Sequence, residues 1–134
     1  MLLRRLTWVF VIVFVLALTV VGCGGKKATP TPAPKLASSP SEMVAQGKQW
    51  YEQTCSSCHG PDVKGLPNLG RDLTTSEFVK SQTDEGLLEF IKKGRPASDP
   101  ANTTGVDMPP KGGNPALTDD QIRAIIAYIR SLQQ

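Results

Sequence analysis

Cys55-Ser56-Ser57-Cys58-His59 is the stretch of the sequence that decides the fold. The pattern Cys-X-X-Cys-His is the attachment signature of a c-type haem. Two thiols at this spacing can each form a thioether to a haem vinyl group, and the adjacent histidine can bind the iron through an imidazole nitrogen. We therefore expect one covalent haem c on Cys55 and Cys58, with His59 as an iron ligand.

Three other uses of these residues compete with the haem interpretation. A zinc site would need a fourth strong ligand, and the chain has no second histidine and no second cysteine pair. A thioredoxin-type redox pair would lie in a βαβ unit, which the sequence does not predict. A structural disulfide between Cys55 and Cys58 would not require His59. The haem interpretation agrees best with the rest of the chain.

Four helix starts can be recognised after residue 38. Two segments have capping-box form, and two more place a hydroxyl residue before acidic residues: Ser39-Pro40-Ser41-Glu42, Thr118-Asp119-Asp120-Gln121, Thr74-Thr75-Ser76-Glu77 and Thr83-Asp84-Glu85. Gly94 is expected to end the helix that Thr83 begins.

Apolar residues at helical spacing follow these starts and indicate the core. The first helix carries Met43, Val44, Gly47, Trp50 and Tyr51, and we expect Met43 to pack in the core. The later stripes comprise Leu87, Leu88, Ile91, Ile122, Ile125, Ile126, Ile129 and Leu132.

Glycine and proline crowd residues 60–70 and 94–115, and no segment alternates as a strand would. Long loops of this kind in a small domain are usually functional. The predicted fold is all-α, a small helical domain around one covalently bound haem with long Gly/Pro-rich loops.

The charge of the chain argues against a nucleic-acid partner. The net charge is +3, but from Ser41 onward ten Lys and Arg face twelve Asp and Glu, a balance of −2. Nucleic-acid binding needs a concentrated basic face, which this domain does not have.

The N-terminus reads as a bacterial lipoprotein signal. Arg4 and Arg5 precede an apolar run of sixteen residues, 6–21, which is shorter than the about 20 that span a bilayer. Cys23 follows Gly22, where acylation would need it, so we predict a signal peptide over 1–22 and a lipid anchor on Cys23. An uncleaved signal anchor is the alternative. Either way the rest of the chain is exported and faces the periplasm or extracytoplasmic space.

A proline-rich stretch separates this signal from the folded part. Pro30, Pro32 and Pro34 alternate with small and polar residues, a composition that favours extended conformations and buries no core. We assign residues 23–40 to a lipid-anchored linker and 41–134 to the folded domain.

From residue 41 onward the chain resembles the class I c-type cytochromes. Gly47 and Tyr51 before the Cys-X-X-Cys-His motif, and Gly94-Arg95-Pro96 after it, are similar to the family pattern. Gly65-Leu66-Pro67-Asn68-Leu69 is similar to the family's glycine-proline-asparagine-leucine segment, with Leu66 intruding. The resemblance implies that the Pro67 carbonyl accepts the second N–H of His59, and that Gly47 packs against Tyr128 where the first and last helices cross.

Met108 is the candidate for the sixth iron ligand. It lies in a loop forty-nine residues after His59, and Pro109 and Pro110 stiffen the chain behind it. A methionine-proline pair before the C-terminal helix also resembles the family's distal-ligand pattern. The alternative is a methionine that fills a gap in the core.

Iron with both axial positions filled has no site for a small-molecule substrate, so we expect a one-electron carrier and no enzyme. The resulting hypothesis is a membrane-tethered cytochrome that links membrane redox complexes. Its donor would oxidise quinol, and its acceptor would be a terminal oxidase or a photosynthetic reaction centre. Two alternatives remain: a fixed haem relay subunit of a quinol-oxidising or oxygen-reducing complex, and a haem peroxidase or gas sensor with a labile sixth ligand.

Overall fold

The computed structural model of the chain describes residues 39–134. The predicted signal peptide (1–22), the predicted lipid anchor on Cys23 and the linker up to residue 38 lie outside the described residues. None of the helices within 39–134 is long and apolar enough to cross a membrane.

Five α-helices and one 3₁₀ helix follow one another in this range: α1 (Pro40–Thr54), α2 (Ser56–His59), α3 (Glu77–Ser81), α4 (Asp84–Lys93), the 3₁₀ helix (Pro110–Gly113) and α5 (Asp119–Ser131). Between residues 39 and 134 the only extended pairings are two isolated bridges, Leu66 with Gly70 and Arg95 with Met108. The predicted all-α fold is confirmed.

Within residues 39–134 all α-helices except α2 begin at predicted capping segments. At the start of α1 the Ser39 hydroxyl accepts from the Glu42 N–H at 3.2 Å, and the Glu42 carboxylate accepts from the Ser39 N–H at 3.1 Å. Thr118 forms the same box at the start of α5. Thr83 caps α4, which ends at Gly94 as expected. Such reciprocal bonds satisfy backbone N–H groups that the first helical turn leaves unpaired.

The core lies mainly between α1 and α5. Gly47 of α1 is buried against Ala124 and Tyr128 of α5, and the Tyr51 and Tyr128 rings pack with centroids 5.5 Å apart. The predicted contact of Gly47 with Tyr128 is therefore confirmed. The buried cluster comprises Tyr51, Val63, Val79, Leu87, Leu88, Leu117, Ile122, Ile125, Ile126, Tyr128 and Ile129.

The prediction that Met43 packs in the core is wrong. Its side chain is 38% exposed, although Gly47 and Tyr51 on the same stripe are buried. Met43 lies in the first turn of α1, one turn before the contact that Gly47 makes with α5. An apolar stripe is buried only where a partner element covers it, and spacing alone does not reveal where that cover ends.

Candidate haem site

The two cysteines and the histidine lie on one short helical segment. Cys55 is the C-cap residue of α1, and its N–H donates to the Tyr51 carbonyl at 2.8 Å. The helix α2 begins at the next residue. The His59 N–H then donates to the Cys55 carbonyl at 3.0 Å. Residues three and four apart share one face of a helix, so the side chains of Cys55, Cys58 and His59 project from the same face. Both thiols are free.

Cys55 is the more enclosed part of this motif, since it packs against the apolar core. Burial raises the pKa of the Cys55 thiol to about 12, and the neighbouring Cys58 adds to the rise. The thiol is therefore neutral at physiological pH, because a charged thiolate would lose its hydration in this environment. A neutral thiol that faces apolar surroundings suits a side chain that is to join an apolar cofactor.

The imidazole of His59 is oriented by a backbone carbonyl. His59 Nδ1 lies 2.9 Å from the Arg71 carbonyl oxygen. A carbonyl can only accept, so Nδ1 carries the proton and Nε2 is left as the nitrogen that can bind a metal. An orienting bond of this kind is the usual support for a histidine ligand.

This contact corrects the expectation for Pro67. The acceptor from His59 Nδ1 is the Arg71 carbonyl, and Pro67 is exposed in the preceding turn. A second segment, Gly70-Arg71-Asp72-Leu73, has a glycine, an acidic residue and a leucine at the spacing of the family's glycine-proline-asparagine-leucine segment. It has no inserted residue in the position of Leu66. The prediction rests on the segment that contains proline, whereas the loop path brings the second segment to the histidine.

Close backbone packing fixes this loop path. A Cβ atom on Gly70 would collide with the Cys58 carbonyl, so only glycine allows residue 71 to come so near the motif. The Tyr51 hydroxyl donates to the Gly60 carbonyl at 2.8 Å and ties the end of α2 to α1. The residue that follows His59 is thus anchored to the core by a buried hydrogen bond.

Met108 is half-buried, and its backbone is paired with Arg95. Each residue donates its N–H to the carbonyl of the other at 2.8 Å. Gly94, with φ of 73°, lets these two segments approach, because a Cβ there would collide with the Met108 carbonyl. The Arg95 guanidinium lies over the rings of Phe78 and Phe90, 4.7 and 4.8 Å from their centroids. These contacts fix the backbone position of Met108 at the end of the loop.

The chain after Met108 returns to the haem-attachment motif. A Cβ on Gly112 would lie 3.0 Å from the Thr54 side chain, so the 3₁₀ helix packs on the residue before Cys55. The Thr54 hydroxyl is buried there without a hydrogen-bond partner. The loop that carries Met108 is therefore packed at one end on Arg95 and at the other beside the motif.

The donors in this region fit a c-type haem. Two free thiols can form thioethers, and the imidazole presents Nε2 for iron. Within residues 39–134 no three His, Cys, Asp or Glu side chains cluster to hold a metal ion alone, as a zinc site would need. The residues that would hold the haem are Cys55, Cys58 and His59, and its iron would supply one-electron oxidation and reduction.

The helical fold and this donor set define a c-type cytochrome domain. Residues 44–133 match the sequence profile of the cytochrome c family, which is more than half of the chain. The chain belongs to the cytochrome c family. It contains covalently bound haem c with iron, and its function is electron transfer.

Three relatives illustrate the range of proteins that are similar to this chain. Cytochrome c-555 of Prosthecochloris aestuarii is 34% identical over 87 residues, which are 64% of this chain and 84% of that protein. The cbb3-type cytochrome c oxidase subunit CcoP of Rhodobacter capsulatus is 32% identical over 101 residues, or 73% of this chain and 33% of that protein. The cytochrome bc1 complex cytochrome c subunit of Mycobacterium tuberculosis (strain H37Rv) is 31% identical over 122 residues, or 90% and 39%. No solved structure matches the chain significantly.

Proposed function

We propose that this cytochrome is a one-electron carrier held at the outer face of a membrane. Thioethers from Cys55 and Cys58 attach its haem, and His59 binds the iron through Nε2. The observation that carries the proposal is the hydrogen bond from His59 Nδ1 to the Arg71 carbonyl at 2.9 Å. It leaves Nε2 available and holds the ring in one tautomer, which suits an iron ligand that must keep its place in both oxidation states.

Met108 is proposed as the sixth ligand. Its paired backbone and the packing of Gly112 on Thr54 support this assignment, since they restrict the loop on both sides of the thioether. A thioether opposite an imidazole raises the reduction potential and leaves no open position. Both properties suit a carrier and disfavour a peroxidase or a gas sensor.

The membrane attachment is proposed from the sequence. An acyl-modified Cys23 after cleavage of residues 1–22 would tether the domain, and the linker from Cys23 to Pro40 spans seventeen residue-to-residue steps. At about 3.1 Å per residue in an extended chain, the domain could move within about 50 Å of its anchor. The folded domain would then face the periplasm or extracytoplasmic space.

The proposed partners are membrane redox complexes. Relatives named as subunits of a cbb3-type oxidase and of a bc1 complex support this choice. The chain would accept electrons from a quinol-oxidising complex and deliver them to a terminal oxidase or a reaction centre. Its likeness to 84% of the length of cytochrome c-555 favours a separate carrier.

A fixed relay subunit is the second candidate. It is favoured by the match to the bc1 complex cytochrome c subunit, which covers 90% of this chain. In this arrangement the haem chemistry is the same, but the domain remains bound to one complex and does not shuttle.

Native membranes solubilised in mild detergent separate the two arrangements. A carrier elutes at the size of the small protein with its detergent, whereas a relay subunit co-purifies with a large complex in fixed proportion.

The same sample tests the haem: after denaturation the thioether-linked haem must stay with the polypeptide and give the haemochrome spectrum of a c-type haem in alkaline pyridine. Haem that acid-acetone extracts would contradict attachment through Cys55 and Cys58.

A further inference from the structure

Arg71 connects the histidine of the site with the loop that ends at Met108. Its carbonyl accepts the hydrogen bond from His59 Nδ1 at 2.9 Å. Its guanidinium Nη1 donates to the hydroxyl of Thr103, which lies five residues before Met108. One residue therefore contacts both segments that are proposed to supply the iron ligands, and it does so through two independent groups.

The backbone of Arg71 cannot shift without moving the attachment motif. Gly70 lies against the Cys58 carbonyl, and a Cβ on Gly65 would lie 2.7 Å from the Arg71 carbonyl carbon. Gly65 is bound in turn, since its N–H donates to the His59 carbonyl at 2.8 Å. The Arg71 side chain is exposed, but it extends from a backbone that is packed on both sides.

Hydrogen bonds within the loop stiffen the segment that Arg71 contacts. The side-chain Oδ1 of Asn102 accepts from the N–H groups of Thr104 and Gly105 at 3.0 Å each, and its side-chain Nδ2 donates to the Val106 carbonyl at 2.8 Å. The base of the loop is closed by the pairing of Arg95 with Met108. Because the loop is stiff, a restraint at Thr103 limits the movement of its whole length, including the end at Met108.

We propose that Arg71 is a positioning residue for both iron ligands, orienting His59 through its carbonyl and restraining the Met108 loop through Thr103. The inference rests on the proposed function, because it takes Met108 as the sixth ligand. Its consequence is kinetic: the hydrogen bond to Thr103 slows the opening of the loop that must precede loss of Met108 from the iron.

Binding of cyanide to the oxidised holoprotein measures this opening, since cyanide can enter the sixth position only after Met108 has left. Arg71→Ala removes the guanidinium and keeps the carbonyl that orients His59. Thr103→Val replaces the hydroxyl by a methyl group of similar size. Thr103→Ser keeps the hydroxyl and serves as the conservative rescue.

We expect Arg71→Ala and Thr103→Val each to bind cyanide about fivefold faster than the wild type, the factor that corresponds to one typical net hydrogen bond. The double variant should be no faster than either single variant, because both remove the same contact. Thr103→Ser should bind at the wild-type rate. The oxidised protein should show the weak far-red absorption band that arises when methionine sulfur binds the haem iron, called here the far-red band. This band should persist in all of these variants, since the ligand itself is unchanged.

Arg123→Ala is the matched control, because it removes another exposed guanidinium contact, with the Glu85 carboxylate at 2.6 Å, and neither residue lies in the loop between Arg95 and Met108. It should leave the cyanide rate unchanged. If the wild type has the far-red band but Arg71→Ala and Thr103→Val bind cyanide at the wild-type rate, the Arg71 side chain does not restrain the Met108 loop and the inference is overturned, while the ligation by Met108 stands. A wild type that lacks the band refutes the ligation itself, and the inference with it.

Discussion

Gly47 of α1 lies directly against the Ala124 carbonyl of α5, with the Tyr128 Cβ 3.0 Å from where a Cβ of residue 47 would be. This is where the two main helices of the core meet, and there is no room for any side chain at residue 47. Because the colliding group is backbone, a larger residue can be accommodated only if the helices separate.

Gly47→Ala should therefore destabilise the domain by about 1–3 kcal/mol or more, even though alanine favours a helix. Gly86→Ala in α4 is the control. A Cβ there would lie 3.1 Å from Oε1 of Gln82, the far end of a flexible side chain that can shift, and 3.2 Å from the Thr83 hydroxyl that caps α4. Its stability should stay within about 1 kcal/mol of wild type. Denaturant unfolding of both holoproteins measures the difference, and equal effects would contradict the proposed origin of the cost.

Tyr51→Phe should cost about 1 kcal/mol at neutral pH, because it removes the buried bond to the Gly60 carbonyl. This is near the lower end of the range for losing a buried hydrogen bond, because the Gly60 carbonyl also accepts from the Val63 N–H at 3.2 Å and keeps that partner in the variant. Unfolding free energies of the wild type and the variant at pH 7 give this value directly.

The advantage of Tyr51 over phenylalanine should shrink as the pH rises above 10. Burial raises the pKa of Tyr51 above its usual value of 10.0, and the neighbouring Tyr128 adds to the rise. Above pH 10 the folded state therefore keeps a proton that the unfolded chain has lost. The contribution of the Tyr51 hydroxyl to the free energy of unfolding is complete below pH 10 and falls as the pH rises above it. A wild-type advantage that stays constant through this range would contradict the burial of the hydroxyl.

Met108→Ala should abolish the far-red sulfur-to-iron band, lower the reduction potential, and open the iron to carbon monoxide. Absorption spectra, a redox titration and carbon monoxide binding measure these effects. Met43→Ala is the matched control: with that side chain 38% exposed, we expect a change in stability within about 0.5 kcal/mol and an unchanged band. A wild-type protein that binds carbon monoxide readily at neutral pH would favour a sensor or peroxidase instead of a carrier.

Cys23→Ser should release the domain from the membrane or leave an unprocessed precursor. Stable anchoring takes two or more acyl chains, which an acylated N-terminal cysteine can provide. Membrane fractionation followed by mass spectrometry of the native N-terminus measures both outcomes. The presence of residues 1–22 in the mature protein would rule out lipidation.

Most helix boundaries in this protein could be predicted from the sequence, because caps act locally. The hydroxyls of Ser39, Thr83 and Thr118 each bind an N–H three residues ahead, so each motif contains all that it needs. The haem motif is equally local: Cys55, Cys58 and His59 are brought together by a single helical turn. The sequence by itself therefore determined the fold class, the cofactor and the attachment segment.

Only the tertiary structure decided which carbonyl orients His59. Between His59 and Arg71 the chain turns through Val63 and Asn68, whose φ values of 66° and 57° lie in the left-handed region that valine in particular rarely adopts. Local preference does not predict such a path, because it is imposed by burial of Val63 and by the contact of Gly70 with Cys58. The exposure of Met43 and the contact of Arg71 with Thr103 have the same origin: both depend on which distant segment packs nearby, and that depends on the whole fold.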